Sequence, residues 1–129
     1  MANLERVLYV EDEADIRIVA KLALETIGGF TVKTCASGEE ALREVEGFAP
    51  DIILLDVMMP GMDGPSVLRA LRERPALAEV PVAFMTAKVQ PAEVEHFRSL
   101  GARDVIAKPF DPMTLADHVR GIWEGGALD

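Results

Sequence analysis

The stretch Ile52-Ile53-Leu54-Leu55-Asp56 sets four apolar β-formers in a row before a carboxylate. An apolar run with no polar alternation suits a strand buried on both faces, as in the middle of a parallel sheet. In an open α/β sheet the ligand crevice lies beyond the carboxyl ends of the strands, so Asp56 sits where chemistry is usually housed. Asp56 could equally do no more than start the turn from Val57 to Gly64, a common task for Asp. Partners at other strand ends decide between the two.

Outward from that strand, short apolar runs alternate with helical patterns. Val7-Leu8-Tyr9-Val10 reads as a strand that stops at Glu11-Asp12-Glu13. Ile16, Val19, Ala20, Ala23 and Ile27 then recur at helical spacing until Gly28-Gly29 supplies a left-handed stop. Phe30 to Cys35 reads as a second strand, and Ser37 with Glu40, in capping-box spacing, opens a helix through about Glu46 that Gly47 and Pro50 end. Downstream, Asp63 and Pro65 are placed to begin a helix carrying Val67, Leu68 and Leu71. Val82 to Thr86 is a fourth strand, and a helix from near Pro91 carries Val94, Phe97 and Leu100 to Gly101. Asp104 to Ala107 is a fifth strand, after which Asp111-Pro112 caps a last helix with Leu115, Val119 and Ile122 inside, fading into Glu124-Gly125-Gly126. Five βα units imply right-handed crossovers and a parallel sheet with helices on both faces. The expected fold is α/β, a doubly wound, flavodoxin-like three-layer sandwich with strand order 2-1-3-4-5 and five helices, in one domain over residues 1–129. A barrel would need eight units.

Composition narrows the function. A chain of 129 residues, 50% hydrophobic, buries one core. A net charge of −9 argues against a nucleic-acid binder, because a phosphate backbone would repel most of this surface. The lone Cys35 leaves no intramolecular disulfide or multi-thiolate zinc site and suits a reducing cytoplasm, with packing as its role. No signal-peptide core and no bilayer-length apolar run are visible, so the expected location is cytoplasmic and off the membrane.

The strand ends supply the partners. The first delivers Glu11 and Asp12, the third Asp56, the fourth Thr86, and the fifth Lys108. In the order 2-1-3-4-5 these strands are neighbours and their ends converge on one crevice. Each residue alone has a plain explanation, as a helix cap, a turn or a solvated charge. Three crowded carboxylates repel one another and rise in pKa unless a cation sits among them. Hard oxygen ligands select Mg²⁺ or Mn²⁺. A carboxylate facing that cation can attack a phosphoryl group, a transfer that asks for little beyond in-line positioning and charge stabilisation.

In this order and spacing, Glu11-Asp12, the apolar strand into Asp56, the turn from Met59 to Gly64, Thr86-Ala87 and Lys108-Pro109-Phe110 resemble the receiver domain of bacterial two-component response regulators, of the single-domain chemotaxis-regulator kind. The resemblance covers nearly the whole chain. It implies that Asp56 accepts a phosphoryl group from the phosphohistidine of a sensor kinase or a histidine phosphotransfer protein. Glu11, Asp12, Asp56 and the backbone carbonyl of Met58 would hold Mg²⁺. Lys108 and Thr86 would contact the phosphoryl oxygens, and the bond from Lys108 to Pro109 would be cis. The chain would then be no enzyme beyond self-phosphorylation and slow autodephosphorylation.

One departure concerns signalling. The family's strand-five aromatic, three residues before the Lys, is here Val105, which cannot swing between buried and exposed states. A smaller rearrangement, centred on Ala87 to Pro91, is expected instead. Met58 and Lys88 offer no carboxamide or acid to position a hydrolytic water, so a slow-decaying phosphoaspartate is expected. With no output domain in this sequence, regulation would pass to a downstream protein target through contacts of the last two βα units.

Two other functions compete. A phosphatase using Asp56 as nucleophile would want a second acid two residues further on, where Met58 stands. A docking module without phosphoryl chemistry would have no use for Glu11, Asp12, Asp56, Thr86 and Lys108 together. His96 and His118 read as surface residues, Met58, Met59 and Met62 as loop packing, and Trp123 as an anchor for the last helix.

Overall fold

In the computed structural model, which describes residues 3–125, five parallel strands lie side by side. They are β1 (Arg6–Val10), β2 (Thr31–Cys35), β3 (Ile52–Asp56), β4 (Val82–Thr86) and β5 (Asp104–Ala107), in the order β2-β1-β3-β4-β5. The connecting helices are α1 (Ala14–Leu22), α2 (Gly38–Phe48), α3 (Gly64–Arg72) and α4 (Pro91–Ser99), and α5 (Leu115–Gly125) closes the chain. The doubly wound architecture expected from the alternation is the one adopted.

β3 is central, and its residues Ile52 to Leu55 are at most 1% exposed. Strand alternation then divides the core in two. Ile53 and Leu55 join Leu8, Val10 and Phe84 against Ala41, Val45, Val67, Leu68 and Phe97 of α2, α3 and α4. Ile52 and Leu54 join Val7, Tyr9, Met85 and Ile106 against Ala20 of α1 and Leu115 and Val119 of α5. Each fully buried side chain of this size contributes roughly 1.5–3 kcal/mol. Trp123 packs partly buried on the α1–α5 layer, and Cys35 is buried, which pushes its thiol up to about 11.

Five expectations need correction. The inner face of the first helix does not include Val19 and Ile27, which are 44% and 47% exposed. After Leu22 the chain makes a π-helical turn, Ala23–Ile27, in which the Gly28 N–H donates to the Ala23 carbonyl five residues back. The wider turn brings Leu24 inside and rotates Ile27 out. Of the glycine pair, only Gly29 is left-handed (φ 73°). The second helix runs through Gly47 to Phe48, and its left-handed stop is Ala49 (φ 54°), an uncommon conformation for a residue with a Cβ. Leu100 caps α4 and is 40% exposed, so Phe97 carries that helix's burial. The last helix begins at Leu115, because Asp111 first caps a separate turn through the Met113 N–H. Gly126, in its expected fade, lies outside the described residues.

Local capping follows the sequence more closely. Ser37 accepts from the Glu40 N–H, while the Glu40 carboxylate reaches the Ala36 N–H, one residue before the cap. Asp63 accepts from the Ser66 N–H at the start of α3. Gly64 allows the turn after β3 to fold back onto its own strand: a Cβ there would lie 2.7 Å from the Asp56 carbonyl oxygen.

Candidate functional site

Strand periodicity builds the site. Tyr9, Leu54 and Ile106 face the α1–α5 layer, and two residues further along each chain lie Glu11, Asp56 and Lys108. All three therefore emerge on one side of the sheet at its carboxyl edge. The Lys108 Nζ donates to Glu11 Oε1 at 2.8 Å and to Asp56 Oδ1 at 3.1 Å. Glu11 and Asp56 are 0% and 3% exposed, and Thr86, at the end of β4, is 5% exposed. Asp12 and Met58 complete the walls, with Glu13 and Ala87, around a cavity of about 370 Å³. The structure thus brings Asp12, Asp56, Met58, Thr86 and Lys108 to one cavity, with Glu11 buried behind it on Lys108, and the Lys108–Pro109 peptide bond is cis.

The charges are unequal in their settings. Burial pushes the Asp56 carboxyl up to about 6, the Lys108 hydrogen bond opposes the rise, and the Glu11 charge adds to it. Burial works against the Lys108 ammonium, but its bonds with Glu11 and Asp56 outweigh that and hold its pKa above the usual lysine value. The centre thus holds the Lys108 ammonium between Glu11 and Asp56, with Asp12 at the mouth. One oxygen from each of Glu11, Asp12 and Asp56 lies within 4.8 Å of the others. A single cation bridges oxygens at such separations, and an all-carboxylate donor set suits a hard divalent ion such as Mg²⁺ or Mn²⁺.

Thr86 is held differently. Its Oγ1 accepts from the Lys88 N–H at 3.1 Å, which ties the hydroxyl to the loop after β4 and not to the carboxylates. His96 and His118 are exposed on α4 and α5, away from the cavity. Met58 is 75% exposed at the rim, Met59 is buried and Met62 partly so, which splits the three methionines between surface and packing.

Three contacts at the site have no counterpart in the sequence reading. The Tyr9 hydroxyl donates to Glu11 Oε1 at 3.4 Å. The Glu13 N–H donates to Glu11 Oε2 at 3.2 Å, and Arg17 Nη1 donates to the Glu11 carbonyl at 2.7 Å. Burial first, and the charges of Glu11 and Asp56 next, push the Tyr9 phenol far above its ordinary value, so it stays a neutral donor. A signal for Tyr9 was present: it is a polar-tipped residue in an aliphatic strand, two positions before an acid and so on the same face.

Residues 7–120 match the family described as the response regulator receiver domain. The chain is 39% identical over 118 residues to the probable transcriptional regulator ycf27 of Guillardia theta, covering 92% of this chain and 45% of that protein. It is 38% identical over 122 residues to the transcriptional regulatory protein CseB of Streptomyces coelicolor, covering 95% and 50%. The chain thus spans about half the length of these relatives. Among solved structures, the chemotaxis protein CheY4 of Vibrio cholerae superposes with a TM-score of 0.85 at 30% identity, covering 93% of this chain and 99% of that one.

Proposed function

The chain belongs to the response regulator receiver domain family, and from that premise we propose that it is a phosphoacceptor switch whose acceptor is Asp56. The observation that carries this reading is the Lys108 ammonium lying 3.1 Å from Asp56 Oδ1, on a carboxylate buried beside Glu11 and Asp12. An Asp56 oxygen attacks the phosphorus of a phosphohistidine, forming the O–P bond as the P–N bond breaks. The bonding pair leaves with the imidazole nitrogen, which ends protonated. Lys108 neutralises charge on the moving phosphoryl group, and the Thr86 hydroxyl, which lines the cavity and accepts from the Lys88 N–H, keeps its own proton to donate to that group.

Glu11, Asp12, Asp56 and the Met58 carbonyl are the proposed holders of Mg²⁺, which when bound supplies further positive charge for the equatorial oxygens. The proposed partner is a sensor histidine kinase or a histidine phosphotransfer protein. An exposed apolar groove of Ile18, Val19, Leu22, Ile27 and Pro112, continuous through Val19 and Pro112 with the surface beside Lys108, supports a protein donor. Output passes to a protein target, with no direct nucleic-acid contact by this acidic surface, and the domain, taken as residues 1–129, works in the cytoplasm. No helix among the described residues is long and apolar enough to cross a membrane.

Incubation with acetyl phosphate and Mg²⁺, followed by intact mass, tests the reading. Wild type should gain one phosphoryl group and Asp56→Asn none. A wild type that stays unmodified, or a variant that gains the group equally, overturns it.

A further inference from the structure

Tyr9 is fully buried in β1, opposite Leu54 of β3, and plays no part in the transfer described above. Its ring belongs to the core between the sheet and the α1–α5 layer, a role that phenylalanine would fill as well. Its hydroxyl is what needs explaining, because burying one without a partner costs free energy. Among the described residues its hydrogen-bond partner is Glu11 Oε1, at 3.4 Å, the same oxygen that takes Lys108 Nζ at 2.8 Å. With the Glu13 N–H on Oε2, Arg17 on its carbonyl and its own N–H on the Cys35 carbonyl, Glu11 is tethered at five points. The Asp12 carboxylate makes no hydrogen bond among the described residues.

That contrast divides the acids by task. We propose that Tyr9 is a positioning residue for the phosphotransfer site: its hydroxyl holds Glu11 Oε1 toward Lys108, so that Glu11 aims the ammonium at Asp56 and is held back from the cation it shares with Asp12 and Asp56. The inference rests on the phosphoacceptor reading and deepens it. At 3.4 Å the bond is long, so its worth lies in orientation more than in strength. A donor on Oε1 also draws charge away from that oxygen and makes it a poorer metal ligand.

Tyr9→Phe removes the hydroxyl and keeps the ring. Two measurements are paired: the Mg²⁺ dissociation constant from amide chemical-shift titration, and the phosphorylation rate from acetyl phosphate at saturating Mg²⁺. The variant should phosphorylate about three- to tenfold more slowly, the size of one lost hydrogen bond. Its Mg²⁺ affinity should be unchanged or tighter, since Glu11 is then free to turn toward the cation. A packing role alone gives a different pattern, in which either the rate is unaffected or rate and Mg²⁺ affinity weaken together; each of these overturns the proposal. Tyr9→Leu, which disturbs the packing, should show the second pattern and serves as the control. If wild type itself takes no phosphoryl group, it is the phosphoacceptor reading that fails; if wild type reacts and Tyr9→Phe matches it, only the role of Tyr9 does.

Discussion

The two sides of the cavity are built to different standards. On the β1–β3–β5 side, Glu11, Asp56 and Lys108 are locked by hydrogen bonds of 2.8 and 3.1 Å, and both acids are buried. On the β4 side, Thr86 is buried, but Ala87, Lys88, Val89 and Gln90 that follow are all exposed. One bond, from the Lys88 N–H to Thr86 Oγ1, links that loop's second residue to the site. The rigid side is organised before any phosphoryl group arrives, as charge stabilisation requires. The loose side has few contacts to break, as a segment that responds to the new group requires. Under the proposed function, reaction and readout are separated by a few residues of chain.

The sharpest way to break this contrast is to remove the cation at the centre of the rigid side. Lys108→Ala should slow phosphorylation from acetyl phosphate by about 10²- to 10³-fold, the usual loss when a pre-organised stabilising donor is deleted. Rates from a time course of intact mass would show it. A loss below tenfold would mean that the ammonium is not aimed at the reacting group and that the rigid side is not the reactive one.

The rigid side should also store strain that pH reveals. The folded pKa of Asp56 is raised from 3.8 to about 6, so the folded state binds this proton more tightly than the unfolded chain. The stabilisation that results is complete below about pH 3.8 and is lost as pH rises through about 6. At about 1.4 kcal/mol per pH unit, the loss approaches about 3 kcal/mol by pH 7. Asp56→Asn cannot titrate there. In metal-free buffer its advantage over wild type in unfolding free energy should therefore grow by up to about 3 kcal/mol between pH 4 and 7, as urea denaturation would show. Added Mg²⁺ should narrow the gap by binding the folded wild type. A gap that stays flat with pH would mean that Asp56 is no more crowded than a surface carboxylate.

The same contrast explains what could be read before any coordinates. Strand ends and their parity are period-two properties of the sequence, so Glu11, Asp56 and Lys108 could be brought together from the strands alone. Helix faces were less legible wherever the backbone left the ideal spiral. The π-helical turn at Ala23–Ile27 replaces Ile27 with Leu24 inside, and nothing in the periodicity of the apolar residues announces it. The second helix does not end at Gly47, as its composition suggests, but runs to Phe48, and Ala49 takes the left-handed stop at the local cost that a Cβ carries at φ 54°. Strand parity puts the Tyr9 hydroxyl on the face of Glu11, but which oxygen it meets depends on the way that carboxylate turns, which no sequence pattern records.

The smallest expected effect tests the loose side directly. Val105 is 8% exposed and packed among the α2–α3–α4 layer residues, with no aromatic ring to carry a signal outward. Binding of a beryllofluoride mimic at Asp56 would give the Thr86 hydroxyl a new acceptor. Turning to donate there would move Oγ1 relative to the Lys88 N–H from which it now accepts, and so disturb the loop. Amide chemical shifts should therefore change most at Ala87 to Gln90 and little at Val105 and its neighbours in β5. Thr86→Ala, which deletes the link, should shrink the loop response while leaving phosphorylation within about tenfold of wild type, because the rigid side retains Lys108. Large shifts confined to Val105 and β5 would reverse the assignment: the signal would leave through the packed core, and the exposed loop would be only a connection.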